Sequence, residues 1–319
     1  MTRSSNRTWL ARSSLLALIA LAWVSPGRAV EVEHPFRFGF SGALMPDVNE
    51  NDARAAMKVW AKTLVAEGTV QGDPNLLFCQ KLADLEAALT NCAVDGVAMS
   101  TREFATLRPR VKFNRFVLGT FGGSIYEEYL LLVHAGSGIT NLASLRGHPL
   151  LLLRHAKMCL ALPWLDTLLL ERNLPPSRDF FASIAEETTA NKTVLPVFFR
   201  KAEVCLITRR TFQTMCELNP QLGRNLQVLD VSPAFVTGGV FFREGYPARQ
   251  QDQIVAELTA VRKSPAGNQV LTVFQSEGLD EHPASAFDSA LALLAHRRQL
   301  LAAPATNEPV RRLESEDLE

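Results

Sequence analysis

Short apolar runs alternate along the chain with longer segments whose apolar residues recur every three or four positions. The first set predicts strands at residues 36–40, 75–78 and 95–99 and helices at 52–67 and 80–91. Two extended segments follow at 113–121 and 126–134. Runs of this length with period-2 or continuous apolar character are typical of strands, and the longer periodic segments are typical of amphipathic helices.

A second set of the same kind occupies the middle of the chain. It predicts a helical turn at 142–145, strands at 149–153, 179–185, 203–208 and 226–231, and helices at 158–172, 189–199 and 210–218. An extended segment at 236–243 and helices at 248–263, 266–276 and 284–301 complete the pattern. The charged, proline-bearing tail at 303–319 is predicted to be disordered.

Strands that alternate with helices predict an α/β fold with parallel βαβ units. Because segments 126–134 and 236–243 flank the second set, we expect two lobes joined by two crossover segments, with the second lobe inserted into the first. The predicted boundaries are 30–130 and 236–302 for lobe 1 and 131–235 for lobe 2.

The N-terminus carries the pattern of a secretory signal peptide. Arg3, Arg7 and Arg12 precede an apolar core at 15–24, and the small residues Gly27 and Ala29 follow it. This predicts export to the periplasm with cleavage after Ala29; an uncleaved N-terminal anchor is the alternative. No later segment is long and apolar enough to span a bilayer.

Composition and charge exclude some partners. The 319 residues have a formal net charge of +0 and are 47% hydrophobic, so bulk attraction to nucleic acid or to an acidic membrane is not expected. The five cysteines are an odd number, so at least one thiol is free; Cys79 and Cys92 are the first candidates for a disulfide, with buried unpaired thiols as the alternative. Scattered histidines and the lack of a CxxC motif predict no metal site and no cofactor.

One strand end is unusually basic. The apolar run at 149–153 ends in Arg154, His155, Ala156 and Lys157 before a helical pattern begins. Ligands of open α/β sheets bind at the carboxyl ends of strands, where helix N-termini favour anions. We therefore predict an anion-binding wall formed by Arg154, His155 and Lys157; solvated surface cations are the alternative.

Polar residues also follow the other predicted strands. The candidates are Ser41, Ser100, Thr101, Arg102, Thr188, Thr189, Thr208 and Arg209. Each could donate to a ligand in the same crevice. Ordinary helix N-capping is the competing interpretation of the serines and threonines.

Catalysis is not expected. Gly39 to Ala43 approaches the GxSxG nucleophile elbow, but Ala43 replaces the last glycine. The motif also follows the first strand of the mature chain, whereas an α/β-hydrolase needs several strands before its elbow. A serine hydrolase is therefore a distant alternative.

Several segments together resemble one known family, the phosphonate/phosphite-binding group of type II periplasmic solute-binding proteins of ABC transporters. The likeness covers nearly the whole mature chain and is carried by GFSGALMP (39–46), ALTNCAVDGVAMS (88–100), LASLRGHPLLLL (142–153), FFRKAEVCLITRRTF (198–212), LQVLDVSPAFVTGGVFFREGYP (226–247) and KSPAGNQVL (263–271).

The resemblance implies a two-lobed receptor, expected to be monomeric, that closes on a small anionic solute such as a phosphonate or phosphate and delivers it to an ABC permease. A membrane sensor kinase is the alternative partner. The family's Ser/Thr-rich ligand loop is replaced here by RHAKMCLALP (154–163), while ETTANK (187–192) keeps Thr188 and Thr189. The ligand therefore stays open between an organic anion, an alkylphosphonate and an empty cleft.

Overall fold

A computed structural model describes residues 34–46, 48–66, 68, 72–73 and 75–303. The predicted signal peptide and the tail beyond Ala303 lie outside the described residues. The first elements of the fold are β1 (Phe38–Ser41), α1 (Glu50–Ala66), β2 (Leu77–Cys79), α2 (Leu82–Thr90), β3 (Gly96–Ser100), α3 (Thr101–Leu107) and β4 (Phe113–Thr120).

The middle of the chain contains ten elements. They are β5 (Tyr129–His134), β6 (Pro149–Leu153), α4 (Ala161–Glu171), α5 (Ser177–Phe180), β7 (Ser183–Glu187), α6 (Ala190–Phe198), β8 (Val204–Thr208), α7 (Arg209–Leu218), α8 (Pro220–Asn225) and β9 (Leu226–Val231). The last five are β10 (Gly238–Arg243), α9 (Ala248–Ala260), α10 (Pro265–Val273), β11 (Gly278–His282) and α11 (Asp288–Ala302).

The strands form two sheets. Lobe 1 contains the six-stranded sheet in the order β11-β4-β10-β3-β1-β2, and lobe 2 contains the five-stranded sheet in the order β7-β6-β8-β5-β9. Strands β1, β2 and β3 are parallel, as are β6, β7 and β8. Strand β10 pairs antiparallel with β3, and β5 pairs antiparallel with β8 and with β9. The predicted α/β architecture with an inserted second lobe is confirmed.

Two crossover segments, residues 121–128 and 232–237, connect the sheets and are called the hinge segments below. They touch through a short antiparallel bridge between Glu127 and Phe235. Each residue donates its N–H to the other's carbonyl at 2.8 Å. The two connections are therefore paired where the chain passes between the lobes, as a hinge requires.

Lobe 1 has a separate apolar cluster on each face of its sheet. One face packs against α2 and α3 through Leu85, Leu89, Phe104 and Leu107. The other face packs against α1 and α9 through residues such as Met57 and Ile254.

A buried carboxylate fixes the start of the lobe 1 strands. Asp95 is fully buried and accepts hydrogen bonds from the Arg37 guanidinium at 2.9 and 3.0 Å. Arg243 also donates to this carboxylate, at 3.2 Å. Asp95 thus joins the chain just before β1 to the end of β10, and the two cations compensate for its desolvation.

The last helix contacts both lobes. Leu291 packs against the core of lobe 1, whereas Ala290, Leu293 and Leu294 pack against the core of lobe 2. An ion pair of 2.6 Å joins Arg297 to Asp166 of α4. The sequence prediction had placed this helix in lobe 1 alone.

Several local predictions differ from the structure. The strand predicted at 179–185 is wrong in its first half, because Asp166 accepts from the N–H and hydroxyl of Ser177, at 2.9 and 2.5 Å, and α5 forms there. The helix predicted to begin at residue 158 begins at Ala161 after a short 3-10 turn. Helix α8 and strand β11 were not predicted.

The cysteines form no bridge. All five are free thiols, and the suggested pair of Cys79 and Cys92 is not joined. Cys79 faces the core of lobe 1, while Cys92 lies at an exposed turn with φ 54°. Within the described residues, no helix has the length and apolar character needed to cross a bilayer.

Candidate functional site

The basic turn after β6 reaches across to lobe 1. Arg154 donates from its guanidinium to the carbonyl of Pro46. Lys157 donates from Nζ to the carbonyl of Gln275 at 3.0 Å. The two predicted cations therefore contact lobe 1 main-chain oxygens.

The side chain of Tyr129, in β5, forms hydrogen bonds with the main chain of this turn. Its side chain is fully buried; its hydroxyl donates to the carbonyl of Lys157 at 2.8 Å and accepts from the N–H of Leu160 at 3.3 Å. Burial raises its pKa well above the ordinary value, so the hydroxyl stays protonated and able to donate.

The His155 side chain caps the turn by accepting a hydrogen bond from its main chain. Its Nδ1 accepts from the N–H of Lys157 at 3.2 Å. Burial, and then the charge of Lys157, lower its pKa to about 4, so the imidazole is neutral near pH 7. It contributes no positive charge to the predicted anion-binding wall at that pH.

Four side chains meet beside the hinge segments, and we call them the hinge cluster: Phe121, Glu127, Lys157 and Arg210. The Arg210 guanidinium lies 4.4 Å from the centre of the Phe121 ring, and Lys157 Nζ lies 5.9 Å from it. Arg210 Nε lies 3.5 Å from Glu127 Oε2. Two cations thus lie over one aromatic ring, and a carboxylate lies beside one of them.

Burial changes the titration of the hinge cluster. It raises the pKa of Glu127, against the opposing charges of Lys157 and Arg210. It lowers the pKa of Lys157, where the charge of Glu127 acts in the opposite direction. The cluster thus combines two basic side chains with a single carboxylate, and interactions between charges at such a buried site are screened weakly.

Two predicted ligand-binding hydroxyls already have a carboxylate partner. Ser41 Oγ donates to Glu103 at 2.5 Å, and Ser100 Oγ donates to the same carboxylate at 2.8 Å. Ser100 and Glu103 also form the capping box of α3. Because each hydroxyl has one hydrogen, both are committed to Glu103.

The remaining predicted residues form hydrogen bonds within the fold or are exposed at the surface. Thr101 is buried and donates to the carbonyl of Val236 at 2.7 Å, while Arg102 is exposed. Thr188 and Thr189 are exposed after the edge strand β7, and Thr189 caps α6. N-capping, the competing interpretation of the predicted serines and threonines, therefore explains Thr189.

The two predicted residues at the end of β8 also have partners within the fold. Thr208 is buried and caps α7 by accepting from the N–H of Thr211 at 3.2 Å. Arg209 forms an ion pair of 2.6 Å with Glu128. The neighbouring Arg210, not Arg209, lies in the hinge cluster.

Cys159 joins the turn to the second hinge segment. Its Sγ donates to the carbonyl of Thr237 at 3.1 Å. Burial raises its pKa to about 12, so the thiol is protonated and a poor nucleophile.

Sequence reasoning missed Glu103, Glu127 and Arg210. Glu103 had a readable signal, since Ser100 and Glu103 have the S-x-x-E spacing of a capping box. Glu127 and Arg210 had none, because each stands beside a residue of the same type, Glu128 and Arg209, that forms a more exposed pair.

A cavity of about 280 Å³ opens beside the hinge cluster. Glu127, Lys157 and Arg210 line it together with Gln275 and Ser276 from lobe 1. No group of three or more His, Cys, Asp or Glu residues suited to a metal occurs in the part of the chain that the structure describes.

Solved structures with the same fold include three informative ones. A binding-protein component of an ABC phosphonate transporter from Pseudomonas aeruginosa has 13% identity and a TM-score of 0.56, covering 84% of this chain and 88% of that one. PhnD1 from Prochlorococcus marinus in complex with methylphosphonate has 12% identity and a TM-score of 0.55, covering 83% and 98%. A Xanthomonas citri protein bound to ATP has 15% identity and a TM-score of 0.56, covering 83% and 98%.

These likenesses confirm the type II periplasmic-binding-protein fold. Comparison with curated protein sequences finds no match. The family described as "ABC transporter, phosphonate, periplasmic substrate-binding protein" matches residues 43–287, which is more than half of the chain. The match includes both hinge segments and every residue of the hinge cluster. The chain therefore belongs to the family of periplasmic substrate-binding proteins of ABC phosphonate transporters.

Proposed function

We propose that this protein binds a small anionic solute at the hinge cluster and delivers it to the permease of an ABC transporter. The observation that carries the proposal is the convergence of Lys157 and Arg210 on the cavity beside the hinge segments. A phosphonate, phosphate-like or other organic anion would offset their excess charge.

The chemistry of the two cations suits an oxyanion. An ammonium group carries three N–H donors, and Lys157 donates one of them to Gln275. A guanidinium group presents a planar fork that matches two oxygens of a phosphonate or carboxylate. Phe121 beneath both cations limits their solvation on one side, which favours a negatively charged partner.

Closure of the lobes is the proposed mechanism of binding. The contacts of Arg154 with Pro46, Lys157 with Gln275 and Cys159 with Thr237 join the lobes or the hinge. A solute that bridges the same elements would stabilise this closed arrangement and leave when it opens.

The remaining features of the receptor follow the family. We propose a monomer that is exported by a signal peptide cleaved after Ala29, acts in the periplasm and performs no catalysis. A permease is favoured over a sensor kinase as partner because the matched family is one of transport proteins.

Isothermal titration calorimetry tests the proposal. Phosphonates of several chain lengths, phosphate, a sulfonate, a carboxylate and a neutral amide are titrated into the mature protein. We expect an anion to bind, and we expect Lys157→Ala and Arg210→Ala each to weaken it by about 10- to 100-fold, since each removes a charge-assisted hydrogen bond.

Arg209→Ala is the matched control, because Arg209 is the adjacent cation and pairs with Glu128 outside the cavity. We expect its affinity to stay within about twofold of wild type by the weak effect of exposed pairs. Equal losses in all three variants, or binding of the neutral solute alone, would contradict the proposal.

A further inference from the structure

The cavity beside the hinge cluster continues into lobe 1 between the sheet and its helices. A row of side chains crosses four hydrogen-bonded strands through the pairs Phe40↔Ala98, Ala98↔Val240 and Val240↔Val117. All four residues line the cavity. They form its floor.

Two glycines also line the cavity, on the side of the hinge. Gly119 stands two positions after Val117, and Gly238 two positions before Val240, so both lie on the same face as the row. A Cβ at Gly119 would lie 2.8 Å from Ser276 Oγ, and one at Gly238 would lie 2.9 Å from the carbonyl oxygen of Met99, so close packing requires glycine at both positions. The cavity wall is therefore free of long side chains at these strand ends, and Ala98 in the floor is also small.

Three helices roof the cavity with apolar side chains. The roof residues come from α1, from α9, and from α10 with the residue after it: Met57, Ala61, Val65, Ile254, Leu258, Val270, Leu271 and Phe274. The cavity extends from Phe36, just before β1, to Phe40 within it, which is about 13 Å at about 3.3 Å per residue. It follows α1 from Met57 to Val65, which is about 12 Å at about 1.5 Å per residue.

A space of this size is unusual in a protein core. Interiors contain few voids larger than a water molecule, which needs about 10–15 Å³. The cavity has about 280 Å³ and is lined mainly by apolar groups. Apolar cavities of this kind bind apolar molecules in preference to water.

Charge is concentrated at one end. Lys157, Arg210 and Glu127 lie at the hinge end. At the opposite end, beside Gly72, Asp73 accepts from the N–H and side-chain amide of Asn75 at 2.8 and 2.9 Å. Asp73 is therefore engaged in its own turn, and both cations that line the cavity, Lys157 and Arg210, lie at its hinge end.

We infer that the solute is an amphiphilic anion with an alkyl or aryl tail, whose head contacts Lys157 and Arg210 and whose tail occupies the cavity of lobe 1. The inference rests on the proposed function, because it assigns the head to the hinge cluster. It adds that the receptor selects for a tail that a methylphosphonate or phosphate lacks.

Calorimetry with methyl-, butyl- and octylphosphonate tests the tail. Each buried methylene is expected to tighten binding by about three- to fourfold until the cavity is filled. Affinity that does not change along the series would overturn the inference while leaving the proposed function intact.

Two variants narrow the cavity from opposite sides: Ala98→Leu from the floor and Ala61→Phe from the roof. Each is expected to weaken octylphosphonate by at least tenfold and to change methylphosphonate by less than about twofold, because only the tail needs the space. Ala61→Phe keeps the test valid if Ala98→Leu does not fold. Ala87→Phe, on the exposed side of α2 and outside the cavity, is the control and is expected to bind both ligands normally.

Octan-1-ol separates the two proposals. Binding of octanol as tightly as octylphosphonate would overturn the anionic head and uphold the tail cavity. Failure of every anion and of octanol to bind would overturn both.

Discussion

At the residue scale, the charges of the hinge cluster do not cancel. Lys157 and Arg210 face the single carboxylate of Glu127, whose pKa is raised by burial in spite of both cations. The carboxylate is 6% exposed, so its interaction with the cations is weakly screened. In the proposed receptor Glu127 competes with the solute for the same two partners.

Replacing Glu127 by Gln is expected to tighten binding of an anion. Removing one nearby negative charge favours a bound anion by about 1 kcal/mol at intermediate dielectric, which is about fivefold in the dissociation constant. Calorimetry with the best anion measures this. Glu128→Gln is the matched control, because Glu128 pairs with Arg209; a similar gain in the control would show that general charge, not the cluster, is responsible.

The buried His155 predicts a pH dependence of stability. The folded-state pKa is about 4 against an ordinary value of 6.5, so below pH 6.5 the unfolded chain takes up a proton that the folded chain does not. The contribution of His155 to the free energy of unfolding is therefore fully present above pH 6.5. It declines toward pH 4, by no more than about 3 kcal/mol.

Denaturant unfolding of His155→Asn between pH 7 and pH 4 measures this contribution. The Asn side-chain oxygen keeps an acceptor for the N–H of Lys157 but does not titrate. A shallower loss of stability than in the wild type is expected. His148→Asn, whose side chain is 39% exposed on lobe 2, serves for comparison; an unchanged slope in His155→Asn would contradict the assignment.

Residue types at strand ends were predictable, but their partners were not. Lys157 could be singled out because a basic turn follows an apolar strand, and its side chain lines the cavity. Arg209 and Arg210 have the same type and adjacent positions, and the direction of each side chain decides which one lines the cavity. That direction depends on packing against Phe121 and Glu128, which local sequence does not report.

At the element scale, β10 carries the return crossover through the middle of the lobe 1 sheet. It pairs with β3 on one side and β4 on the other. Two glycines begin it, and both allow close approach of neighbouring main chain. A methyl group on Gly239 would lie 2.5 Å from Leu118 Cδ2 and 2.9 Å from the carbonyl oxygen of Val117.

Gly239→Ala is expected to destabilise the protein by about 1–3 kcal/mol, since the carbonyl cannot move without disturbing the β4 ladder. Thermal unfolding should show a melting temperature lower by roughly 2 to 10 °C. Gly223→Ala in α8 is the control, where the added methyl meets only Cys216 at 3.4 Å or more. It should be neutral or slightly stabilising; an equal loss in both variants would refute the packing argument.

Elements with strong apolar periodicity were predicted well. The strands Pro149–Leu153 and Leu226–Val231 have the predicted bounds. Helix α5 and strand β11 depend on distant groups: Asp166 caps the first, and β4 pairs with the polar residues of the second. Tertiary contacts outweigh local preference in such segments.

At the scale of the whole molecule, the cavity spans the boundary between the lobes. Its apolar part belongs to lobe 1, and Lys157 and Arg210 come from lobe 2. A ligand with a head and a tail would therefore hold the two sheets together through different interactions. Coupling of closure to ligand binding requires such differential contacts.

The architecture was predictable because the order of the predicted strands and helices indicates two βαβ sets and two crossovers. The cavity was not, because its floor is formed where Ala98 pairs with Val240 and Val240 pairs with Val117. These residues are far apart in the chain, and the periodicity within a segment does not show which strands pair.

A crystal structure of the mature protein with octylphosphonate would show where the head and the tail of the ligand bind. We predict phosphonate oxygens within hydrogen-bond distance of Lys157 and Arg210, and an alkyl chain packed on Ala98 and Val240 beneath α1. A head group bound at Ser100 and Thr101, or a tail lying in solvent outside lobe 1, would contradict the account.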